Sequence, residues 1–439
     1  MVDESVYADD APARGIVLPR LIELAHAAFL LLIFVGLAPF AIRDATAMAS
    51  PDGPASGAGD LLRQLAFASA FALILFAAMR EKGFAAFAAV PPTLALLLVW
   101  CVASAWWSAE PDITLRRAVL VAVVVLSAMM SASTLGPARS FRILRWVLAS
   151  VLIVNWASIP FVHQAVHLAG DPEPQLVGDW RGLYFHKNIA GAVSAITAIV
   201  FFFSAWDRKR WIDAVLCAAA IGFAVMTQSK SSLLLLPAAI AAGAIYRIAW
   251  HRPLDRMILG VLLALFAVGA TAFVVMDQDA IARLLADPTE FTGRAEIWQA
   301  ELAFIRDHPY LGAGFGSFAD TGSLSPLHDY VGGDWVNAVA HGHNAYLQLC
   351  VTLGGVGLLL ALVALIVLPL AKFAGVKSED VAPMAMPFAL FVFLVLHNLL
   401  ESDFLEGDAP AWVTFLLVLA ALGWKHASRE RVGEPWPIP

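Results

Sequence analysis

Charge is scarce in this chain. Only 14% of its 439 residues are Asp, Glu, Lys or Arg, where soluble domains carry about 25%. The deficit excludes a large soluble domain, because apolar residues make up 60% of the chain and the mean hydropathy is +0.76. Cysteine is scarce too. Cys101, Cys217 and Cys350 all lie in apolar runs. An odd, scattered set excludes a disulfide framework and a cysteine metal site. No excess of positive charge exists: the net charge of -7 argues against a nucleic-acid partner. Repeats, heptads and cleavable-leader signals do not stand out. What remains is a polytopic, all-α membrane protein.

A bilayer core takes about 20 apolar residues per helix. On that scale twelve spans are expected, at 21–42, 61–79, 85–107, 118–136, 141–162, 188–206, 211–227, 231–250, 257–276, 345–371, 382–400 and 409–425. Residues 1–439 then form a single transmembrane domain. Short loops rich in Lys and Arg face the cytoplasm. With the N-terminus inside, the inner loops hold Arg80 and Lys82, Arg139 to Arg145, Arg208 to Arg210, and Lys372 and Lys377. Both termini are then cytoplasmic. Two long loops fall outside, 163–187 and 277–344. The second far exceeds the ~12–15 residues of an idle connection and is expected to be functional.

Basic residues left on the outer side run against this bias, and each needs a reason. Arg116 and Arg117 precede a span and fit snorkelling anchors. Lys230 sits in a very short outer turn, MTQSKSS. It fits a snorkelling anchor or an interfacial anion site. Arg181, His186 and Lys187 cluster in GDWRGLYFHKNIAG, with Asn188 and Gly191 in the first turn of the next helix. Helix N-termini favour anions, and Trp180 and Tyr184 equally suit an interfacial belt. In TGRAEIWQAELAFIRDHPYLGAGFGSF, Arg294 opens an amphipathic surface helix with Ile297, Leu302, Ala303 and Ile305 as its apolar stripe. GAGFGSF follows no strand, so it is no nucleotide loop; its glycines permit tight turns or close backbone approach.

The stretch HGHNAYLQLCVTLGGVG, 341–357, puts imidazoles at the outer mouth of an apolar span. His341 and His343 are two apart, a poor spacing for one metal on a helix, and no third ligand supports zinc. His343-Asn344 opens the span, and Gly354 and Gly357 lie about three turns below, where small residues allow close packing. A neutral imidazole is a natural general base. Glu401, in HNLLESDFLEGD, is expected at the outer end of the penultimate span. It fits an ordinary rim acid, a sugar ligand, or a carboxylate that orients a histidine. Lys230 and Arg294, with Lys187 or Arg181, could hold a diphosphate. Trp180, Trp298 and Trp335 could stack on sugar rings.

With these residues the chain resembles the O-antigen ligase and polymerase superfamily of bacterial membrane glycosyltransferases. His343-Asn344, nine residues, then Gly354-x-x-Gly357 matches its His-Asn and Gly-x-x-Gly pattern. Arg294 with Trp298, His308-Pro309 and Gly312-x-Gly314 resembles the segment before it. The resemblance implies a GT-C-like fold of about twelve spans with one large periplasmic loop carrying amphipathic helices. It implies a glycan donor on undecaprenyl diphosphate and transfer on the periplasmic face of the inner membrane, with neither cofactor nor metal. It maps the catalytic base to His343 and the diphosphate ligand to Arg294. A second basic ligand, usually Arg, maps to Lys230, which lacks the bidentate fork. Asn344, Glu401 and Trp298 are supporting or sugar-binding candidates. RGLYFHKNIAG and HNLLES resemble succinoglycan-type exopolysaccharide polymerases, so polymerisation is preferred to ligation onto lipid A core. The expected partners are the lipid-linked glycan, an acceptor glycan, the bilayer, and chain-length or export proteins. A transporter of lipid-linked glycan is the rival reading, though the long external loop and the lack of mid-membrane acids fit it poorly.

Overall fold

The computed structural model describes residues 14–41, 61–169, 171, 174–249, 294–321, 324–332, 339 and 342–430. The helices in chain order are α1 (Arg14–Val35), α2 (Leu61–Lys82), α3 (Pro92–Ala103), α4 (Pro111–Leu135), α5 (Pro137–Ser158), α6 (Lys187–Arg208), α7 (Trp211–Met226), α8 (Lys230–Ala249), α9 (Arg294–Asp307), α10 (Ala345–Ala374), α11 (Val381–His397) and α12 (Pro410–Glu430). α10 includes a π-helical stretch, Leu362–Val367. Seven candidate spans are long and apolar enough to cross a membrane: Leu61–Ala89, Pro111–Leu135, Pro137–Ser158, Lys187–Arg208, Lys230–Ala249, Ala345–Ala374 and Ser378–His397. Shorter apolar helices fill Pro92–Trp106, Trp211–Met226 and Pro410–Trp424. The protein is all-helical and polytopic. The ninth expected span, 257–276, lies outside the described residues.

Prolines set several helix starts. Pro92, Pro111 and Pro137 each occupy a first helical position, where the missing N–H costs nothing and φ is already helical. This corrects two boundaries. The third span begins at Pro92 and not at 85, because residues Gly83–Ala89 are a 3₁₀ extension of α2. The fourth begins at Pro111, so Arg116 and Arg117 lie inside α4 and not before it. Arg117 reaches the large loop: it donates to the Gly316 carbonyl and pairs with Asp320 Oδ2 at 2.8 Å. It is a clamp on that loop and not a free snorkel.

Two groups of helices carry the core. α6 packs on α7 and α8, and α8 on α11. α4 packs on α2 and α12, with α1 against α2 and α5. His26 ties three helices at once, its Nδ1 2.8 Å from Ser131 Oγ and its Nε2 3.0 Å from Ser140 Oγ. Both its nitrogens have partners, as a buried polar group requires.

α10 is broken. Gly354 has φ +68° and ψ −178° inside it, a conformation that other residues adopt only with strain. The loop Pro309–Gly314 docks into the break. Ala313 and Gly314 N–H donate to the carbonyls of Val351 and Thr352 at 2.8 and 2.9 Å, and Gly355 N–H donates to Pro309 O at 2.8 Å. Trp100 Nε1 donates to the Leu353 carbonyl at 3.1 Å. Irregular backbone beside apolar helices needs such internal partners. Gly312 and Gly314 of GAGFGSF therefore approach the chain's own backbone, while Gly316 lies against the Arg117 side chain. Gly354 serves this loop, while Gly357 makes the close helix contact, against Trp100 of α3.

Candidate active site

The mouth of α10 is fixed from two sides. Asn344 is its N-cap: Oδ1 accepts from the N–H groups of Tyr346 and Leu347 at 3.0 and 3.1 Å. The next amide, Ala345 N–H, donates to the Asn398 and Glu401 carbonyls at 2.9 and 3.0 Å. The chain after α11 is thereby sewn to the start of α10. His343, just before the cap, has φ +53°. A non-glycine residue held in the left-handed region is a local strain often found at functional sites.

His343 Nδ1 lies 2.9 Å from Glu401 Oε2. The other carboxylate oxygen, Oε1, accepts from Asn188 Nδ2 at 2.8 Å. Glu401 is only 7% exposed, whereas the His343 side chain is 28% exposed. Asn188 belongs to the first turn of α6, so three distant segments meet in one hydrogen-bonded line. With Nδ1–H donating to the carboxylate, Nε2 carries the lone pair and can accept a proton. This is the arrangement of a general base held by an orienting acid.

A second pair lies one turn away. His397 Nδ1 is 2.8 Å from Asp403 Oδ2, and its Nε2 is 3.4 Å from Ser232 Oγ. His397 and Ser232 are buried, so this set ties α11 to α8. Gly191 lets α6 approach the same turn; a Cβ there would fall 2.8 Å from Ser229 Oγ. Lys230 follows as the first residue of α8 and is exposed. Lys187 Nζ pairs with Asp179 at 2.7 Å and donates to the Gln228 carbonyl at 3.3 Å. Lys187, Asn188, Glu401 and His343 thus belong to one cluster of helix ends, and Lys230 opens the neighbouring α8.

Arg181 is placed apart from it. Its guanidinium is 2% exposed, donates to the Gln164 and Phe185 carbonyls at 2.7 and 3.1 Å, and faces Asp171 at 3.6 Å. It organises the 163–187 loop. His167 shares that acid, with Nδ1 2.9 Å from Asp171 Oδ2, while Nε2 accepts from Lys187 N–H at 3.3 Å. Burial, opposed by the Asp171 hydrogen bond, lowers the His167 pKa. Trp180 packs edge-on against Trp156 and Phe223 at 5.3 and 5.5 Å. His341 and Trp335 lie outside the described residues.

α9 lies over the same mouth. Arg294 is its first residue; its side chain is outside the described residues. Trp298 Nε1 donates to the Gly342 carbonyl at 2.6 Å, so it braces the turn that carries His343. The buried face of α9 is Ile297, Ala300, Glu301 and Phe304. Leu302 is exposed, and Ala303 and Ile305 are half-buried. The expected stripe was rotated, because Glu301 was passed over as an apolar-face position.

Residues 214–362 match the family described as O-Antigen ligase. The chain is also 25% identical, over 316 residues, to the exopolysaccharide production protein ExoQ of Rhizobium meliloti (strain 1021), covering 68% of this chain and 69% of the relative. Together these matches support the O-antigen ligase and polymerase superfamily. The matched O-antigen ligase segment runs from α7 into α10 and contains Lys230, Arg294, Trp298, His343 and Asn344. Asn188 and Glu401 lie outside it and join the site only through the fold. Asn188 is expected in the first turn of a helix whose N-terminus favours anions, and its contact with Glu401 gives the side chain a different partner. The signal for Glu301 was present as an acid in register with Ile297 and Phe304.

Proposed function

We propose that this membrane protein is a glycosyltransferase that polymerises a cell-surface or exopolysaccharide. The donor is a glycan on undecaprenyl diphosphate, the acceptor is a sugar hydroxyl, and transfer occurs at the periplasmic face of the inner membrane. The observation that carries this reading is the His343–Glu401–Asn188 line at the mouth of α10. His343 Nε2 takes the acceptor hydroxyl proton as the oxygen attacks the donor's anomeric carbon. The bond from that carbon to the diphosphate oxygen breaks, and its electron pair leaves with the diphosphate. Glu401 stabilises the imidazolium that results. Arg294, Lys230 and Lys187 supply positive charge for the leaving diphosphate. Arg181 supports them by shaping the loop that carries Lys187. The relative's printed name, an exopolysaccharide production protein, favours polymerisation. The family's description favours a second reading, ligation of a finished glycan to lipid A core.

The test compares glycans from a strain lacking this protein, complemented with wild type or His343→Ala. Mass spectrometry separates lipid-linked from released glycans. Single repeat units that persist on undecaprenyl diphosphate in the His343→Ala strain identify a polymerase. Long lipid-linked chains that never reach lipid A core identify a ligase. Normal glycans in both strains, with the variant correctly inserted, remove His343 as the base and move the transporter reading to the front.

A further inference from the structure

Glu301 is a costly residue where it stands. It is 0% exposed, and neither carboxyl oxygen has a hydrogen-bond partner among the described residues. Its neighbours on the helix face are Ile297, Ala300 and Phe304. An apolar side chain of similar size would be more stable there, because a buried polar group without partners loses its solvation for no return. Burial alone raises its pKa from 4.5 to about 8, so the carboxyl keeps its proton at neutral pH.

The carboxyl lies against Gly342. A Cβ on Gly342 would overlap it, with Cδ and Oε2 each at 2.6 Å. Only glycine fits. Trp298, three residues earlier on α9, donates to the carbonyl of the same Gly342 at 2.6 Å. One helix therefore grips the residue next to His343 with two side chains, while Glu401 holds the His343 ring from the opposite element. The ring's direction is set between these two grips. His343 itself has φ +53°, a backbone that relaxes unless its surroundings hold it.

We propose that Glu301 is a positioning residue that seats the Gly342–His343 turn and so aims His343 at the acceptor hydroxyl. The inference rests on His343 acting as proton acceptor in glycan transfer. Loss of stability is exchanged here for a placed base, the usual form of a stability–activity trade-off. Trp298 restrains the Gly342 carbonyl, and the Glu301 carboxyl fills the space beside its Cα, so the turn is held at both points.

The experiment measures transfer by the purified full-length protein in lipid vesicles, with a repeat unit on polyprenyl diphosphate as donor. Glu301→Leu removes the orphaned polar group, and its side chain ends one atom short of the carboxyl oxygens that reach Gly342. Its expected result is an unchanged or raised Tm and a kcat lower by about 10²-fold, the scale of a misplacement near 1 Å, with the donor KM unchanged. Glu301→Gln, neutral and of equal length, is expected to restore most of the turnover. Glu301→Asp withdraws the carboxyl by one methylene and is expected to lower kcat like Leu. This comparison stands if the Leu variant does not fold. Wild-type kcat in Glu301→Leu or Glu301→Asp overturns the proposal. So does a Gln variant as inactive as Leu, or a raised donor KM with normal kcat. The controls separate two failures. Absence of transfer by wild type, or full transfer by His343→Ala, defeats the glycosyltransferase reading. Transfer lost in His343→Ala but intact in Glu301→Leu defeats only the role of Glu301.

Discussion

At the scale of residues, the decisive pair is His343 and Glu401. Their 2.9 Å contact orients a ring that is otherwise a half-buried histidine on a loop. Glu401→Gln tests the orientation. The amide is the same size and can still accept from Asn188. Its NH₂ would then donate to Nδ1, which forces the proton onto Nε2 and removes the acceptor lone pair. We expect kcat to fall by about 10²–10⁴-fold, with donor binding little changed, in single-turnover measurements. Turnover within a fewfold of wild type would show that Glu401 only braces the loop. Asn344, by contrast, uses its side chain on the helix cap, a role legible from its place before an apolar run.

At the scale of elements, the broken α10 links the large loop to the site. The sequence marks Gly354 and Gly357 as close-packing positions, but it does not say which partner each meets. The partner of Gly354 is a loop, Pro309–Gly314, that follows α9. Because α9 also braces Gly342, the break and the His343 turn are two ends of one rigid insert. Gly354→Ala tests this coupling. The new Cβ would strike the Tyr310 carbonyl, and φ +68° adds strain of about 1–3 kcal/mol. We expect a lower Tm and faster proteolysis of the 309–320 loop, together with lost transfer. A variant with normal Tm and normal turnover would separate the loop from the site.

At the scale of the whole molecule, the loop-charge pattern gives an orientation that labelling can check. On a cysteine-free background, a single cysteine at Gln175, in the 163–187 loop, is expected to react with a membrane-impermeant thiol reagent in intact cells. One at Arg210, between α6 and α7, is expected to react only after the inner membrane is opened. Both positions are exposed. The reverse pattern would put the His343 mouth in the cytoplasm and would overturn a periplasmic reaction.

Composition by itself determined that the chain is polytopic and helical, because scarce charge and long apolar runs leave no other way to satisfy the backbone in a bilayer. Hydropathy also placed a helix at each expected span that falls on described residues, with edges off by as much as seven residues, since apolar run length reports membrane thickness and not where a helix starts. Proline chemistry fixed helix starts more sharply than hydropathy did, as Pro92 and Pro111 show. Local pattern marked His343-Asn344 as a helix mouth. What only the tertiary structure decided was company. Asn188, His343 and Glu401 are separated by 155 and 58 positions in the numbering, and no local rule brings them together. The placement of Glu301 beneath Gly342, and of Arg117 on Gly316, likewise depends on how helices stack. Side-chain periodicity reports which face is buried, but the identity of the neighbour across that face is a property of the packed molecule.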